Sequence, residues 1–429
     1  MNQEVQYILS LEAVRERANH ILNLAKSDRL NHFEYHEDRL DGAVQYVAGI
    51  IKRDYGPNKF EKIPPHGRWQ HFQVNDVDRI GKLLGQWESA GYDKIEQARG
   101  LVDLFFVSVL LDAGAGDKWR FTEPDTGLVL VRSEGIAVAT LHMFLKGQFA
   151  TAGFGRGDVV LGQALRDFSE DTLREGFQIT DENLFVGVPA RVDLLRSLGQ
   201  SLLRLPDVFG ESGRPGELVD YLVSQAGQSN VIDFATLWTT LQSVLLPIWP
   251  STRTQLSSHP VGDAWPLQAL SDHPPSPNSP YHTIQPFHKL TQWLAYSLMV
   301  PFERLLSKTW KNADIATGLP EYRNGGVFID MGVLTLKPEA LARGVKNSGT
   351  ELPAFDATAD EIVEWRALTV ALLDRVHEAI QKTDLGPQRL SLPQVLEAGT
   401  WKAGRELAAE KRPATRSSPI LILGDGTLF

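Results

Sequence analysis

The chain has 429 residues, of which 42% are hydrophobic and 22% charged, a composition typical of globular proteins and not of disordered ones. It contains no cysteine, which excludes a disulfide framework, thiolate zinc sites and a cysteine nucleophile, and favours a reducing compartment. The formal net charge of −10 disfavours nucleic acid and acidic membrane surfaces as partners.

No targeting or membrane segment is predicted. The first residues lack the basic and apolar regions of a secretory signal. No uncharged apolar run approaches the roughly 20 residues that cross a bilayer. We therefore expect a cytoplasmic protein.

Helical periodicity dominates the first part of the chain. An apolar stripe over 14–25 follows Ser10, the predicted N-cap of the first long helix. A broader stripe over 95–110, beginning at Ile95, predicts a deeply buried helix that ends in the glycine-rich loop 112–116.

A hairpin is predicted near 119–131, where two β-prone runs flank a Pro-Asp-Thr-Gly turn. Ser133 is the predicted cap of the helix that follows and runs to Phe144. Further helices are predicted near 158–168, 189–204, 216–226, 233–246, 287–308, 359–381 and 392–410.

Seven prolines fall between Ser251 and Pro286, which predicts a long surface connection or a lid over 251–286. We expect one unit over 1–429, with an N-terminal helical part, 1–250, and a C-terminal helical part, 287–429. The end of the chain predicts a small hairpin or strand. The expected fold class is mainly α, a large multi-helix body with one or two small β-hairpins.

The most informative segment is the nonapeptide Gly-Leu-Pro-Glu-Tyr-Arg-Asn-Gly-Gly at 318–326. Pro320 restricts the residue before it to extended geometry, so Glu321 and Tyr322 are predicted at a turn or helix start. Arg323 could pair with Glu321, as a purely structural ion pair, or with a substrate anion. The glycine pair permits close approach of a ligand to the backbone.

Polar and aromatic side chains also interleave over 286–296. Helical spacing would place His288 and Gln292 on one face and Lys289 above Trp293. Such a helix entry suits a phosphate or a hydroxylated ligand, although tryptophan with one polar end is also common in protein cores.

Two more groups combine charge with tryptophan. Glu364 and Arg366 open a strongly apolar helix, where they are either caps or site residues. Glu397, Trp401 and Arg405 repeat at helical spacing, and a surface salt bridge across the indole explains this pattern equally well.

The loop around Arg68 and Trp69 carries two histidines, His66 and His71. They lack the accompanying glutamate of a His-Glu-x-x-His motif, so we predict a structural or substrate-contacting loop and no metal. The glycine run at 153–157 lacks a preceding strand and a Lys-Ser/Thr ending, which excludes a dinucleotide fingerprint and a P-loop.

Several strings together resemble the uracil-catabolism family of the fungal URC pathway, a family formerly of unknown function. The resemblance covers essentially the whole chain. The strings that carry it are Arg68-Trp69-Gln70-His71-Phe72, the run from Val107 to Gly116, Ser133-Glu134-Gly135, Pro286-Phe287-His288-Lys289-Leu290, the segment from Gly318 to Asp330, Glu364-Trp365-Arg366-Ala367-Leu368-Thr369 and Asp425-Gly426-Thr427.

A remoter resemblance is to queuosine-salvage proteins, helical N-glycosylases that act on queuosine 5′-phosphate. Their Phe-Ala-Asp-Tyr-Arg segment, whose acid is central to hydrolysis, is similar to 319–323, and their Glu-x-Arg helix opening is similar to 364–366. Two departures are the longer acid, Glu321, and the replacement of an Asn-Phe loop by one that begins at Asp112. Queuosine is therefore not the expected substrate.

These resemblances imply an N-glycosidase of pyrimidine catabolism that cleaves a ribosylurea-type ribose 5-phosphate, with a helical architecture like that of DNA glycosylases and without a cofactor or metal. Two alternatives are a metal-dependent amidohydrolase that opens the pyrimidine ring and a non-catalytic ribotide-binding scaffold. The implied catalytic carboxylates are Glu321 and Asp330. The implied substrate contacts are Arg323, Tyr322, His288, Lys289, Gln292, Trp293, Asp112, Trp69, Arg68, Glu364, Arg366 and Trp401.

Overall fold

Helices dominate the computed structural model, which describes residues 3–56, 59–112, 118–250, 252–275, 281–383, 385 and 389–424. The prediction of a mainly α protein is confirmed. The α-helices of the described chain are α1 (Gln3–Ile8), α2 (Leu11–Lys26), α3 (Leu40–Tyr55), α4 (Arg68–His71), α5 (Arg79–Ser89), α6 (Lys94–Leu110), α7 (Arg132–Leu145), α8 (Gly162–Arg166), α9 (Glu170–Gly176), α10 (Val188–Leu203), α11 (Pro206–Phe209), α12 (Leu218–Ala226), α13 (Phe234–Leu245), α14 (Gln268–Asp272), α15 (Lys289–Leu306), α16 (Tyr322–Asp330), α17 (Pro338–Ser348), α18 (Asp360–Ile380), α19 (Leu392–Val395) and α20 (Trp401–Lys411).

The strands of the described chain are very short and form pairs. The antiparallel pairs are β1 (Phe33–Tyr35) with β10 (Leu334–Leu336), β2 (Phe121–Thr122) with β3 (Val129–Leu130), β5 (Gln255–Leu256) with β6 (His259–Pro260), and β7 (Ala264–Pro266) with β8 (Ile284–Pro286). The parallel pairs are β4 (Val231–Asp233) with β9 (Thr309–Lys311) and β11 (Ala354–Asp356) with β12 (Leu421–Leu423).

The predicted hairpin near 119–131 is confirmed, with Phe121 opposite Leu130. The strand predicted at the end of the chain is β12, which pairs with β11 and not with a neighbouring strand. Strands of two or three residues are too short to show the alternation that identifies a strand in sequence. That is why the pairs between distant segments were not predicted. The last residues of the chain, including Asp425-Gly426-Thr427, lie outside the described residues.

Two predicted helix starts have different outcomes. Ser10 caps α2, and its hydroxyl accepts a hydrogen bond from the backbone N–H of Ala13 at 3.1 Å. Ser133 lies inside α7, whose N-cap is Val131, so its prediction as a cap was wrong. Its hydroxyl instead donates to Oδ1 of Asp112 at 3.0 Å, a tertiary contact that competes with the local one.

The buried helix predicted over 95–110 is α6, capped by Asp93 and buried along most of its length. Ile95 is the exception, with 41% of its surface exposed. It lies in the first turn between Lys94 and Glu96, before the helix enters the core.

The proline-rich segment is structured where it is described. Residues 252–275 and 281–286 contain β5, β6, β7, β8 and α14. Asp263, which directly precedes β7, is only 5% exposed. This part of the segment is therefore packed structure rather than a bare linker, and its role as a lid stays a prediction.

The described residues divide into two compact units. Unit 1 is drawn from Met1–His66, Ser251–Lys289 and Asp314–Gly424, and unit 2 from Gly67–Pro250 and Leu290–Ala313. Both predicted parts, 1–250 and 287–429, are thus divided between units. The reason is tertiary packing, since α2 near the start of the chain packs against α18 near its end in the core of unit 1.

Unit 2 is built around α6, α7 and α10. Close approach of α8 to α10 depends on glycine, because a Cβ on Gly199 would lie 2.4 Å from the carbonyl oxygen of Gly162. Within the described chain, no helix combines the length and the apolar character that a membrane span requires.

Candidate functional site

Glu321 caps the N-terminus of α16. The helix start predicted here is thus confirmed. The backbone of Glu321 is extended, and its Oε2 accepts hydrogen bonds from the backbone N–H groups of Arg323 at 2.8 Å and Asn324 at 3.2 Å. The side-chain amide of Asn324 donates to the carbonyl of Leu319 at 3.1 Å and closes the turn. One carboxylate oxygen is therefore fixed by the helix start.

The other oxygen of Glu321 is available. Within the described structure, Oε1 accepts no hydrogen bond, and the residue is partly exposed. Burial raises the pKa of the Glu321 carboxyl, while the charges of Lys289 and Arg323 and the two backbone N–H groups oppose that shift. One oxygen of this carboxylate is fixed by hydrogen bonds, the other accepts none, and two cationic side chains act on it. Such a group is suited to act on a polar, anionic ligand.

Arg323 does not form the structural ion pair with Glu321 that the sequence left open. In the described structure, its guanidinium donates to the carbonyl of Arg416 at 3.1 Å and lies 4.9 Å from the centre of the Tyr322 ring. Arg323 is 5% exposed, whereas Tyr322 is partly exposed. The Arg323 side chain is therefore held by Arg416 and Tyr322, and its charge still acts on the Glu321 carboxylate.

Lys289 begins α15, and Asp263 holds this helix start in place. Oδ2 of Asp263 accepts from the backbone N–H of Lys289 at 3.0 Å, and its carbonyl accepts from Phe287 and His288. The predicted shared face of His288 and Gln292 was wrong. His288 precedes the helix with a φ of 49°, and its Nε2 bonds to the carbonyl of Ile8.

Arg366 completes this support from α18. Its guanidinium donates to both oxygens of Asp263, at 2.8 and 2.7 Å, and lies 4.0 Å from the ring centre of Phe287. Burial alone would raise the pKa of Asp263, but Arg366 outweighs it and holds that pKa far below its ordinary value. Arg366 thus orients the chain that carries Lys289.

Glu364 is fully buried and binds backbone. Its two oxygens accept from the N–H groups of Asn31, His32 and Phe33 at 2.8 to 3.1 Å. Burial raises the pKa of this carboxyl, and the N–H group of Asn31 is the largest opposing influence. Glu364 lies in the second turn of α18, which begins at Asp360, and its contacts are those of a structural residue.

A π-helix, Leu396–Thr400, joins α19 to α20 beside the start of α16. The Thr400 hydroxyl donates to Oδ1 of Asn324 at 2.8 Å, and both residues are fully buried. Trp401 follows directly, with the guanidinium of Arg405 at 4.7 Å from its ring centre. Single-turn π-helices are frequent at functional sites.

His66 lies against the same π-helix. Its Nδ1 is 2.6 Å from Oε2 of Glu397, and its ring is tilted against Trp401 at 5.8 Å. The predicted face of Glu397, Trp401 and Arg405 is therefore interrupted by the π-helix, and Glu397 faces His66.

Asp330, at the end of α16, is paired with Arg412. Its two oxygens accept from the guanidinium at 2.7 and 2.6 Å. This bidentate pair joins α16 to the end of α20, and it engages both oxygens of the second predicted carboxylate.

In unit 2, Arg68 is the centre of a buried polar cluster. Its guanidinium pairs with Asp112 and also donates to the hydroxyl and carbonyl of Ser108, at 2.7 and 2.9 Å. Nη1 lies 3.2 Å from Nδ1 of His71. Arg68 is fully buried and Asp112 is 7% exposed.

Aromatic rings enclose this cluster. Trp293 lies 5.5 Å from the Arg68 guanidinium and 5.8 Å from the His71 ring, and Trp69 packs against Phe105. Gln292, one residue before Trp293, is fully buried. Within the described chain, the indole N–H groups of Trp69 and Trp293 are buried without a hydrogen-bond partner.

The predicted residues therefore form two groups. Glu321, Tyr322, Arg323, Lys289 and Trp401 belong to unit 1, with Glu364, Arg366, His288 and Asp330 as support. Arg68, Trp69, Asp112, Gln292 and Trp293 belong to unit 2. No role was predicted from the sequence for Asp263, Asn324 or Thr400. Asp263 stands alone in a proline-rich segment, and no spacing pattern connects it to Arg366.

No group of three or more potential metal ligands occurs among the described residues. His66 and His71, the two histidines considered as ligands, contact Glu397 and Arg68 respectively. The residues around Glu321 are cationic, which suits an anion better than a metal ion.

A family model described as "Protein of unknown function (DUF1688)" matches residues 7–429. The chain belongs to this family. The match extends over both units and over every residue of the candidate sites.

Two relatives are similar to the chain over essentially their full length. "Uracil catabolism protein 4" of Lachancea kluyveri is 42% identical, with 100% of each chain covered. "Protein urg3" of Schizosaccharomyces pombe is 43% identical, with 100% of this chain and 99% of the relative covered. The resemblance to the uracil-catabolism family is confirmed, and the one to queuosine-salvage proteins stays a prediction.

Proposed function

We propose that this protein acts in uracil catabolism as a hydrolase that cleaves the N-glycosidic bond of a ribosylurea-type ribose 5-phosphate. The place in metabolism is supported by the name of the relative from Lachancea kluyveri, which matches along the whole chain. The reaction is supported by one observation above all. Glu321 is held by two N–H groups through Oε2, while Oε1 accepts no hydrogen bond from the described residues.

A partly exposed carboxylate of this kind suits hydrolysis at a sugar carbon. The bond to nitrogen breaks through a transition state with positive charge on C1′ and the ring oxygen. An ionised Glu321 stabilises that charge and accepts the proton of the attacking water. Because the capping hydrogen bonds fix Oε2, Oε1 can act on the water and on C1′ without a large movement of the side chain.

The positive charges of Lys289 and Arg323 complement the negative charge of an anionic substrate. Their charges act on Glu321 strongly enough to oppose the effect of burial on its pKa. A 5-phosphate next to them would form charge-assisted hydrogen bonds. Trp401, beside the π-helix, is a candidate wall for the sugar or the ureido group.

Of the two predicted carboxylates, Glu321 is the better candidate for catalysis. Both oxygens of Asp330 are engaged by Arg412, and a carboxylate in a bidentate pair is poorly placed to accept a further proton. We assign Asp330 to the stability of α16.

The test is to incubate the purified protein with ribosylurea 5-phosphate, with UMP and with other ribotides, and to measure release of urea or base. Release from at least one ribotide is expected. Glu321→Gln keeps an oxygen for the helix cap but removes the charge, and it should lower turnover by about 100-fold or more. Asp330→Asn distinguishes the roles of the two carboxylates, because this variant should be less stable but keep most of the turnover per folded molecule.

Other results would support the alternatives. Ribotides that raise the thermal midpoint without turnover would indicate a binding scaffold. Opening of a pyrimidine ring that depends on added metal would indicate an amidohydrolase. Full turnover by Glu321→Gln would contradict the proposed mechanism.

A further inference from the structure

His66 and Glu397 form a largely buried histidine–carboxylate pair in unit 1 that the proposed role of Glu321 does not use. Nδ1 of His66 lies 2.6 Å from Oε2 of Glu397, and the side chains are 7% and 13% exposed. The backbone N–H of His66 donates to the carbonyl of Pro393 at 2.9 Å. Ring contact with Trp401 at 5.8 Å adds a third restraint. The position and the ring orientation of His66 are therefore both fixed.

The carboxylate determines which nitrogen can exchange a proton. An ionised glutamate only accepts hydrogen bonds, so Nδ1 carries the proton and Glu397 holds it. Nε2 is then the nitrogen that is left to act as an acid or a base towards a ligand. Within the described structure, Nε2 has no hydrogen-bond partner. This arrangement, a base oriented by a third group, is that of general acid–base catalysis.

The pair and Glu321 share one support. Glu397 and Thr400 both belong to the π-helix Leu396–Thr400, and Thr400 donates to Asn324 at 2.8 Å. The N–H of Asn324 in turn donates to Glu321. Gly404 allows α20 to approach α16 closely, since a Cβ there would lie 2.0 Å from the carbonyl oxygen of Arg323. The π-helix Leu396–Thr400 thus supports both His66, through Glu397, and Glu321, through Thr400 and Asn324.

We infer that His66 is the general acid that protonates the departing nitrogen, an inference that rests on the proposed glycosidase function. The bond between C1′ and nitrogen breaks, and its electron pair leaves with the nitrogen. The His66 imidazolium gives its Nε2 proton to that nitrogen. A water oxygen bonds to C1′, and the proton from this water goes to Glu321. Transfer of that proton back to His66 through solvent restores both groups.

Leaving-group chemistry explains why a second group is needed. A ureido nitrogen that departs as an anion is a poor leaving group, and protonation removes that charge as the bond breaks. General acid catalysis of this type contributes about 10²- to 10⁴-fold. Glu321 cannot supply it while it is ionised to stabilise positive charge at the sugar. An ionised Glu321 can stabilise the positive charge at the sugar while a protonated His66 donates a proton to the leaving nitrogen.

The experiment compares two leaving groups in His66→Asn. For ribosylurea 5-phosphate, we expect turnover to fall about 10²- to 10⁴-fold. For 4-nitrophenyl ribofuranoside 5-phosphate, whose phenolate leaves without a proton, the loss should be less than about 10-fold. His32→Asn is the matched control, because His32 is also paired with a carboxylate, Asp360, at 2.8 Å in unit 1. It should leave the ratio of the two rates unchanged.

Glu397→Gln keeps the test decisive if His66→Asn does not fold. It should shift the same ratio towards the nitrophenyl substrate, although by a smaller factor, because it weakens the orientation of His66 without removing it. Equal losses on both substrates, or no loss, would overturn the role of His66. In those cases wild-type cleavage of ribosylurea 5-phosphate would still uphold the proposed function. Absence of wild-type cleavage of both substrates would overturn that function and, with it, this inference.

Discussion

At the scale of single residues, Glu321 combines two properties that usually conflict. As a helix cap it accepts two backbone hydrogen bonds, which stabilise the charged form. Burial acts in the opposite direction and is the larger effect, so the pKa of the carboxyl is raised. Burial raises the pKa of the structural residue Glu364 as well, so the shift alone does not mark a catalytic group. Glu321 differs in that its Oε1 accepts no hydrogen bond from the described residues, whereas both oxygens of Glu364 are bonded to backbone N–H groups.

The pKa shift has a testable sign. A carboxyl whose pKa is raised by folding contributes stability at pH values below its unfolded pKa, about 4.3, and loses that contribution as pH rises through the folded value. At pH 8, Glu321→Gln should therefore unfold at an equal or higher temperature than the wild type. The difference should vanish near pH 4. Thermal unfolding followed by circular dichroism at both pH values is the measurement, and a lower midpoint at pH 8 would show that the charge is structural.

At the scale of elements, the start of α15 depends on the buried pair of Asp263 and Arg366. Folding lowers the pKa of Asp263, so this pair contributes stability above its unfolded pKa, about 3.9, and loses it as pH falls through the folded value. Removing one partner of a buried pair typically costs 3–5 kcal/mol. Asp263→Asn should lose about that much in urea unfolding at pH 7.

The control for Asp263 is an exposed pair. Arg375 and Glu378 lie 3.5 Å apart with side chains 45% and 61% exposed. Glu378→Gln should change the free energy of unfolding by less than about 1 kcal/mol. Similar losses in the two variants would contradict a special role for the buried pair.

The packing of α20 on α16 gives a second prediction at this scale. A Cβ at position 404 would meet the carbonyl oxygen of Arg323 at 2.0 Å, so Gly404→Ala must separate the two helices. We expect a loss of about 1–3 kcal/mol in the free energy of unfolding and a loss of activity. Gly49 in α3 is exposed and has no atom within 4 Å of such a Cβ. Gly49→Ala should therefore stabilise by about 0.5–1 kcal/mol, and destabilisation by both variants would refute the steric explanation.

At the scale of the whole molecule, the sequence predicted the long helices and the helix start at Glu321, because apolar periodicity and proline restrict the backbone locally. It could not predict which helices would pack together. Asp263 and Arg366 are far apart in the chain, and the contact of Thr400 with Asn324 depends on a π-helix that periodicity does not reveal. Ser133 shows the same limit, since a tertiary hydrogen bond to Asp112 replaced the predicted cap.

The end of the chain belongs to the same long-range organisation, and its contribution can be measured. Ile420 is 1% exposed, and β12 pairs with β11. The backbone N–H of Leu421 also donates to the carbonyl of Pro353, the residue before β11, at 2.8 Å. Truncation after Ser418 removes this strand, whereas truncation after Gly424 leaves it intact. Burial of one isoleucine side chain is worth about 1.5–3 kcal/mol, so the shorter protein should be less stable by at least that amount in urea unfolding. Equal stability of the two truncated proteins would mean that β12 does not anchor unit 1.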